Sequence, residues 1–138
     1  GRVGLHDLGP TLLKLIGGES MDTSGDSRSF DELLHQPQQT ADWQQGYAEY
    51  FGGRMLLTQR VVWDGDWKYV FNGFDEDELY HLKTDPDETH NRVHDDDCRE
   101  HLERLCRQMW ARCRDSGDAS LLNSEYPILR VAPVGPQF

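Results

Sequence analysis

An Asp-Gly pair at positions 64 and 65 constrains the fold of this chain more than any other feature. It separates two runs rich in β-branched and aromatic residues, 55–63 and 67–71. A two-residue type I′ turn needs positive φ at both central residues, and Asp-Gly is one of the pairs that tolerate this conformation. The two runs are therefore predicted to pair as an antiparallel β-hairpin.

Two further segments predict additional strands. Residues 46–51 are rich in aromatic side chains, and residues 79–82 form a short apolar run. The acidic stretch 75–78 that precedes this run is expected to be a solvated loop. No helical pattern separates these strands, so the strand–helix–strand alternation of a parallel sheet is missing. We therefore expect an antiparallel sheet of four strands.

The clearest helix of the chain is predicted at 97–114. Its apolar side chains recur at helical spacing and form one stripe, which consists of Leu102, Leu105, Cys106, Met109, Trp110 and Cys113. Asp97 and Glu100 have the spacing of a capping box, and Gly117 is placed to end the helix. Because the stripe needs an apolar partner, we expect this helix to cover the sheet.

A shorter helix is predicted at 7–16, with Asp7 at its start and Gly17 at its end. The expected fold class is therefore α+β: a four-stranded antiparallel sheet covered by one long C-terminal helix, with a short N-terminal helix.

The charge balance narrows the range of partners. The 138 residues carry a formal net charge of −11. Binding to nucleic acid or to an anionic membrane surface requires clustered Lys and Arg, so we expect neither as a partner. The sequence contains no apolar run of roughly 18 residues, the length that predicts a transmembrane helix.

Several motifs follow one another along residues 3–118. The most specific is the string Glu78-Leu79-Tyr80-x-Leu82-x-x-Asp85-Pro86-x-Glu88-x-x-Asn91. The others are Val3-x-x-x-Asp7-Leu-x-Pro10-Thr11-Leu-Leu, Gly25-x-Ser27 leading to Leu33-Leu34, Glu49, Arg60, Trp67-Lys68-Tyr69-Val70, the helix with Trp110, and Ser116-Gly117-Asp118. In this order they resemble the C-terminal subdomain of an arylsulfatase-like sulfatase, a family of the alkaline phosphatase superfamily.

The resemblance implies a fragment of a larger enzyme. The larger N-terminal domain of that family holds a Ca²⁺ or similar divalent metal, and a formylglycine made from the Cys or Ser of a Cys/Ser-x-Pro-x-Arg motif. Its smaller C-terminal subdomain is a four-stranded antiparallel sheet with a long helix. No Cys or Ser of this chain stands in that motif. The resemblance therefore assigns the metal and the formylglycine to the parent enzyme, and it assigns no catalytic or metal-binding residue to this chain.

The same resemblance divides the chain into three parts. Residues 1–45 are expected to lead in from the larger catalytic domain, and residues 46–118 to form the sulfatase C-terminal subdomain. Residues 119–138 are an apolar, Pro-containing tail, expected to pack along the body or onto a partner chain. The implied partners are the missing N-terminal sulfatase domain and a sulfated small molecule or glycan, and a homo-oligomer is left open.

Three side chains are candidates for contact with a sulfated substrate: Arg54, Arg60 and His81. The guanidinium group of Arg matches the geometry of oxyanions. The structural alternative for these Arg residues is a set of cross-strand ion pairs with Glu49 and the local Asp residues. His81 has the opposite strand parity to its neighbours Tyr80 and Leu82, which predicts a position on the polar face of the sheet; its alternative is a surface or interface role.

Two groups of residues suggest metal ligands. His90, His94, Cys98 and His101 would share one face if a single helix contained them, but the Asp85-Pro86 turn favours a loop at 90–94. The Asp95-Asp96-Asp97 triplet offers oxygen ligands without the spacing of an EF-hand, and helix capping explains it better. We expect no metal site in this chain.

The predicted function is therefore that of a C-terminal subdomain that supports a sulfatase and forms part of its substrate pocket wall. The parent would hydrolyse sulfate esters, with a carbohydrate as the expected substrate. Two alternatives remain: a phosphodiesterase or phosphonate monoester hydrolase of the same superfamily, and a stand-alone binding or dimerisation module.

Overall fold

The computed structural model describes residues 1–18, 26–38, 40–53, 58–122 and 132–135. The chain divides into two units, residues 1–45 and 46–138, and each is described by itself. Among the described residues, no helix combines the length and the apolar character needed to cross a membrane.

Two short helices form the first unit: α1 (Leu8–Leu15) and α2 (Asp31–His35). Asp7 was expected to cap α1, but its carboxylate makes no such bond. Instead it accepts the backbone N–H groups of Gly4, at 2.8 Å, and Arg28, at 2.9 Å. The hydroxyl of Thr11 donates to the carbonyl of Asp7 and accepts the N–H of Phe30. These bonds tie α1 to the segment that leads into α2.

The four strands of the second unit are β1 (Gln45–Tyr50), β2 (Gln59–Asp64), β3 (Trp67–Asn72) and β4 (Glu78–His81). They form one antiparallel sheet in the order β1-β2-β3-β4, so that each strand lies beside its neighbour in sequence. This confirms the predicted four-stranded antiparallel sheet.

The turn between β2 and β3 differs in detail from the prediction. Asp64 pairs with Trp67, so the two central residues are Gly65 and Asp66 rather than Asp64 and Gly65. Gly65 has a φ of 59°, and among the described non-glycine residues only Glu88 has a positive φ. Glycine at the first central position alone is the pattern of a type II′ turn. The register is set by the buried pair of Val62 and Tyr69, which moves the turn by one residue.

The long helix α3 (Arg99–Ser116) buries all six residues of the predicted apolar stripe. It packs on Val62 of β2, Tyr69 and Phe71 of β3, and Leu79 of β4. Gly117 ends the helix with φ 66° and ψ 34°, a left-handed conformation that glycine adopts without a Cβ clash. The predicted capping box is absent, because Cys98 occupies the N-cap position without a side-chain cap bond. The α+β fold class, with a long C-terminal and a short N-terminal helix, is confirmed.

A short helix, α4 (Ala119–Leu122), follows, and the described residues 132–135 then pack on α3. The carbonyl of Val134 accepts the indole N–H of Trp110, at 2.5 Å, and the thiol of Cys106, at 3.4 Å. This is one of the two placements expected for the tail. Residues 123–131 and 136–138 lie outside the described part.

Candidate functional site

Of the two candidate side chains within the described residues, Arg60 is the more enclosed. It lies on the face of β2 that α3 covers, opposite Phe71, and no part of it reaches solvent. Its Nε and Nη2 atoms lie 2.7 and 2.6 Å from Oδ2 of Asp118, which follows the helix end. Its Nη1 atom donates to the carbonyl of Gln59 and the hydroxyl of Thr58, both at 2.7 Å. The guanidinium therefore joins β2 to the end of α3.

The expected ion pair between Arg60 and Glu49 exists, but it is the weaker contact at 4.0 Å. The ring of Phe51 covers the guanidinium, with its centroid 4.4 Å from Cζ. These contacts explain how an Arg can be buried here, because a buried charge needs a partner and filled hydrogen bonds. In this arrangement Arg60 forms a structural ion pair with Asp118. Its contact with a substrate stays a prediction.

The groups beside Arg60 are held in their neutral forms. The hydroxyl of Tyr47 lies 3.5 Å from the thiol of Cys113. Burial raises the pKa of the Cys113 thiol to about 11, and burial also raises the pKa of Tyr47 well above its usual value. A protonated thiol is a poor nucleophile, so this cluster packs rather than reacts.

His81 lies on the opposite face from the one predicted. It pairs with Trp67, next to the pair of Leu79 and Tyr69, so it stands at the edge of the face that α3 covers. The prediction from strand parity was wrong because β4 is buried on both faces. Leu79 is fully buried on one face, and Tyr80 is only 8% exposed on the other.

The half-buried His81 lies against an aromatic ring. Its ring meets Trp67 edge-on with centroids 4.7 Å apart, and Trp67 also stacks on His101 at 4.3 Å. Its Nδ1 atom lies 2.7 Å from the hydroxyl of Thr84. Since part of the ring is exposed, contact between His81 and a substrate remains a prediction. Arg54, the third candidate, lies outside the described residues.

The most specific motif of the sequence has a structural role in this fold. The amide of Asn91 accepts the N–H groups of Leu79 and Val93 and donates to the carbonyl of Asp77. The carboxylate of Asp85 accepts the N–H groups of Thr89, at 3.0 Å, and His90, at 2.9 Å. The two side chains thus fold the chain after β4 by bonding its backbone.

Asp77 is a buried residue that the sequence interpretation missed. The acidic run 75–78 was interpreted as a solvated loop, yet Asp77 is fully buried. Its carboxylate accepts the hydroxyl of Tyr69, at 2.9 Å, and the N–H of Asn72, at 3.0 Å. The available signal was Tyr69 itself, because a tyrosine on a buried strand face needs a partner for its hydroxyl.

The potential metal ligands do not form an open site. His90 and His94 lie in turns before α3, so the four residues considered for zinc do not share a helix. Within the described residues, ligand atoms of Asp95, Asp97 and Cys98 approach one another within 4.8 Å. The guanidinium of Arg92 already pairs with Asp95, at 2.8 Å, and with Asp97, at 3.1 Å. Burial raises the pKa of the Cys98 thiol, which makes it a weaker metal ligand.

Comparison with family profiles gives no match for this chain. An uncharacterized protein of Haemophilus influenzae is 30% identical over 92 residues, which cover 66% of this chain and 46% of that protein. This chain thus spans less than half the length of that relative.

Three solved structures share its fold. BT4656, in complex with its substrate D-glucosamine-2-N,6-O-disulfate, is 22% identical with a TM-score of 0.67, over 81% of this chain and 24% of its own. A candidate sulfatase from Bacteroides thetaiotaomicron is 22% identical with a TM-score of 0.71, over 96% and 30%. BT1596, a 2-O GAG sulfatase, is 23% identical with a TM-score of 0.60, over 90% and 26%. The chain therefore has the fold of part of sulfatase structures and spans less than a third of their length.

Proposed function

We propose that this chain is the C-terminal subdomain of a sulfatase whose parent hydrolyses sulfate esters of a carbohydrate. The observation that carries the proposal is the shared fold: three sulfatase structures match 81–96% of this chain, while it spans only 24–30% of theirs. The order of motifs along residues 3–118 supports the same assignment. The same three structures give the phosphodiesterase alternative no support.

In this proposal the larger domain of the parent supplies the reactive groups. Ester hydrolysis of this kind needs an activated nucleophile and a cation that neutralises the sulfate group under attack while the alcohol leaves. The described residues do not fit a metal or an activated thiol, since Arg92 holds the Asp95–Asp97 pair and the three cysteines are buried. The Ca²⁺ and the formylglycine therefore belong to the parent, and this subdomain supplies structural support and one wall of the substrate pocket.

The nucleotide sequence that encodes this chain tests the proposal directly. A reading frame that continues upstream and encodes a Cys/Ser-x-Pro-x-Arg motif is the expected result. The longer protein should then release sulfate from a sulfated glucosamine, and replacing the Cys or Ser of the motif by Ala should abolish release. Preference for the matching phosphate ester, or an upstream frame without the motif, would contradict the proposal.

The pocket-wall role is tested in the longer enzyme. If Arg54 and His81 contact the sulfated sugar, Arg54→Met and His81→Ala should each raise KM by about tenfold, the factor that the loss of one charge-assisted contact produces. Arg99→Met is the matched control, because the Arg99 side chain is 74% exposed and, among the described residues, pairs with its helix neighbour Glu103. An unchanged KM in both test variants would remove these two residues from the pocket.

A further inference from the structure

His81 keeps one ring nitrogen open to solvent. Its Nδ1 atom lies 2.7 Å from the hydroxyl oxygen of Thr84. Its Nε2 atom reaches solvent and has no hydrogen-bond partner among the described residues. A neutral imidazole carries one proton, so one of its nitrogens donates a hydrogen bond and the other accepts one. What His81 can bind at Nε2 therefore depends on which nitrogen carries that proton.

The hydrogen bonds of the turn after β4 indicate where the proton lies. The backbone carbonyl of His81 accepts the N–H groups of Thr84, at 3.1 Å, and Asp85, at 2.9 Å. These two bonds occupy both lone pairs of the carbonyl oxygen. The Thr84 hydroxyl lies 3.3 Å from this oxygen and 2.7 Å from Nδ1, so its single proton goes to Nδ1, the nearer acceptor with a lone pair still available. The proton of a neutral His81 is then on Nε2.

The bond to Thr84 also selects one of two orientations of the imidazole ring. Trp67 meets the ring edge-on, with centroids 4.7 Å apart, and this contact restricts the tilt of the ring plane. Rotation by 180° about the Cβ–Cγ bond of His81 keeps the same plane, because this terminal torsion is roughly two-fold. The rotation would place Cδ2 beside Thr84 in place of Nδ1, and Cε1 in place of Nε2. Only one orientation can therefore bond to Thr84.

We propose that Thr84 is a positioning residue that holds His81 as an Nε2–H donor toward an acceptor oxygen of the sulfated sugar. This inference rests on the proposed function, in which His81 belongs to the pocket wall. The oxygens of a sulfate ester accept hydrogen bonds and do not donate them, so an N–H group is a suitable partner. With its proton on Nε2, His81 provides this donor while the ring is neutral.

Nitrogen NMR of this chain tests the position of the proton without reference to activity. Protein labelled with ¹⁵N at its histidines is titrated to alkaline pH until the shifts of His81 stop changing, and a His81→Gln variant identifies its resonances. The Nδ1 atom should then have the shift of an unprotonated nitrogen, and Nε2 the shift of a protonated one. A proton on Nδ1, or averaged shifts midway between the two forms, would overturn the inference.

Thr84→Val in the longer enzyme tests the positioning role. Valine keeps the branched shape of the side chain and removes the hydroxyl, so the two ring orientations of His81 become about equally populated. Because the apparent affinity falls with the competent fraction, KM should rise about two- to threefold while kcat stays unchanged. Thr84→Ser, which keeps a hydroxyl, should retain the wild-type KM. The matched control is Thr89→Val, since the Thr89 hydroxyl bonds to Asp85 in the same loop and its loss should leave KM unchanged.

The inference and the proposed function fail in different ways. If the upstream frame lacks the Cys/Ser-x-Pro-x-Arg motif, the proposed function fails whatever the NMR spectra show. If His81→Ala raises KM and Thr84→Val does not, only the role of Thr84 fails. If His81→Ala leaves KM unchanged, the pocket-wall role of His81 fails and the inference fails with it. Circular dichroism of each variant, unchanged from wild type, establishes that the comparison is between folded proteins.

Discussion

The buried ion pair of Arg60 and Asp118 connects two parts of the fold that are far apart in the sequence. The two residues are 58 positions apart, and both side chains are almost fully buried. A buried guanidinium is costly unless every donor finds an acceptor, and here the acceptors come from β1, β2 and the end of α3. The pair therefore fixes where the helix ends relative to the sheet.

Asp118→Asn tests the importance of this pair. It keeps the shape of the side chain but leaves the buried Arg60 without its main counter-charge, so we expect a loss of about 3–5 kcal/mol in the free energy of unfolding. Urea denaturation followed by circular dichroism measures it. The control is Arg99→Met, which breaks an exposed helical pair and should cost less than about 0.5 kcal/mol. A loss below about 1 kcal/mol in Asp118→Asn would mean that the pair contributes little to stability.

Asp85 gives a prediction about pH. The N–H groups of Thr89 and His90 hold the pKa of its carboxyl below the usual value, since they bond to the charged form. A carboxyl whose pKa is lower in the folded state stabilises that state above the unfolded pKa of about 4, and this contribution is lost as the pH falls through the folded pKa.

Asp85→Asn should therefore destabilise the protein at neutral pH, and the difference from wild type should shrink as the pH is lowered toward about 2, because the carboxyl then becomes protonated in the folded state as it is in the unfolded state. Urea melts at the two pH values measure this change. Asp87→Asn is the control, because Asp87 is exposed in the same loop. A difference that is the same at both pH values would refute the role of the charged carboxylate.

At the scale of elements, a glycine with positive φ stands in the turn of the β2–β3 hairpin, and another follows the last residue of α3. Gly65 closes the turn between β2 and β3 with φ 59°, and Gly117 ends α3 with φ 66°. A Cβ atom at either position would meet nothing within 4 Å, so sterics with neighbours do not require glycine there. The requirement comes from the backbone conformation alone.

Gly65→Ala is expected to cost about 1–2 kcal/mol, the price of placing an L-residue at positive φ. Thermal and urea melts of the variant measure this loss. Gly9→Ala is a suitable control: Gly9 lies within α1, and its Cβ would also meet nothing within 4 Å. Because alanine favours helix, Gly9→Ala should be neutral or stabilising by up to about 1 kcal/mol. Equal effects of the two substitutions would show that φ is not the cause.

At the scale of the whole molecule, several potentially reactive groups among the described residues are engaged in the fold. Its thiols are buried, and its most enclosed cation is committed to Asp118. Two side chains of its most specific motif, Asp85 and Asn91, accept hydrogen bonds from backbone N–H groups. These features are what a subdomain needs if it is to hold a pocket wall while another domain carries the chemistry.

The purified 138-residue chain is therefore expected to show no sulfatase activity. Positioning groups act by placing a substrate against a nucleophile, and without a nucleophile they provide no rate enhancement. An aryl sulfate assay with and without added Ca²⁺ measures this, with the longer parent protein as positive control. Turnover that scales with protein concentration and survives a second purification would contradict the expectation.

The sequence predicted the features that depend on local periodicity. The hairpin at Asp64-Gly65 and the stripe that ends at Cys113 both follow from residues a few positions apart, and both are confirmed. The type of the turn was wrong, because the register depends on the buried pair of Val62 and Tyr69 across the hairpin. Local spacing contains no information on that pairing.

The candidate site was harder to predict, since it depends on contacts between distant residues. Nothing in the spacing of Arg60 and Asp118 indicates their pairing. His81 was predicted on the wrong face because β4 is covered on both sides. The residues of such a strand do not alternate between apolar and polar, so the sequence does not show which face each one occupies. The burial of Asp77, which precedes β4, likewise depends on the hydroxyl of Tyr69 on β3.

The long separation of Arg60 and Asp118 also has a consequence for the order of folding events. The β2–β3 hairpin closes a two-residue loop, so its formation costs little chain entropy. Bringing together two residues 58 positions apart costs more chain entropy, and contacts offset this cost only after the helix has docked on the sheet. We therefore expect the hairpin to form before the main folding barrier and the ion pair to close after it. An interaction that forms late slows unfolding more than it speeds folding, so we expect Asp118→Asn to raise the unfolding rate more than it lowers the folding rate.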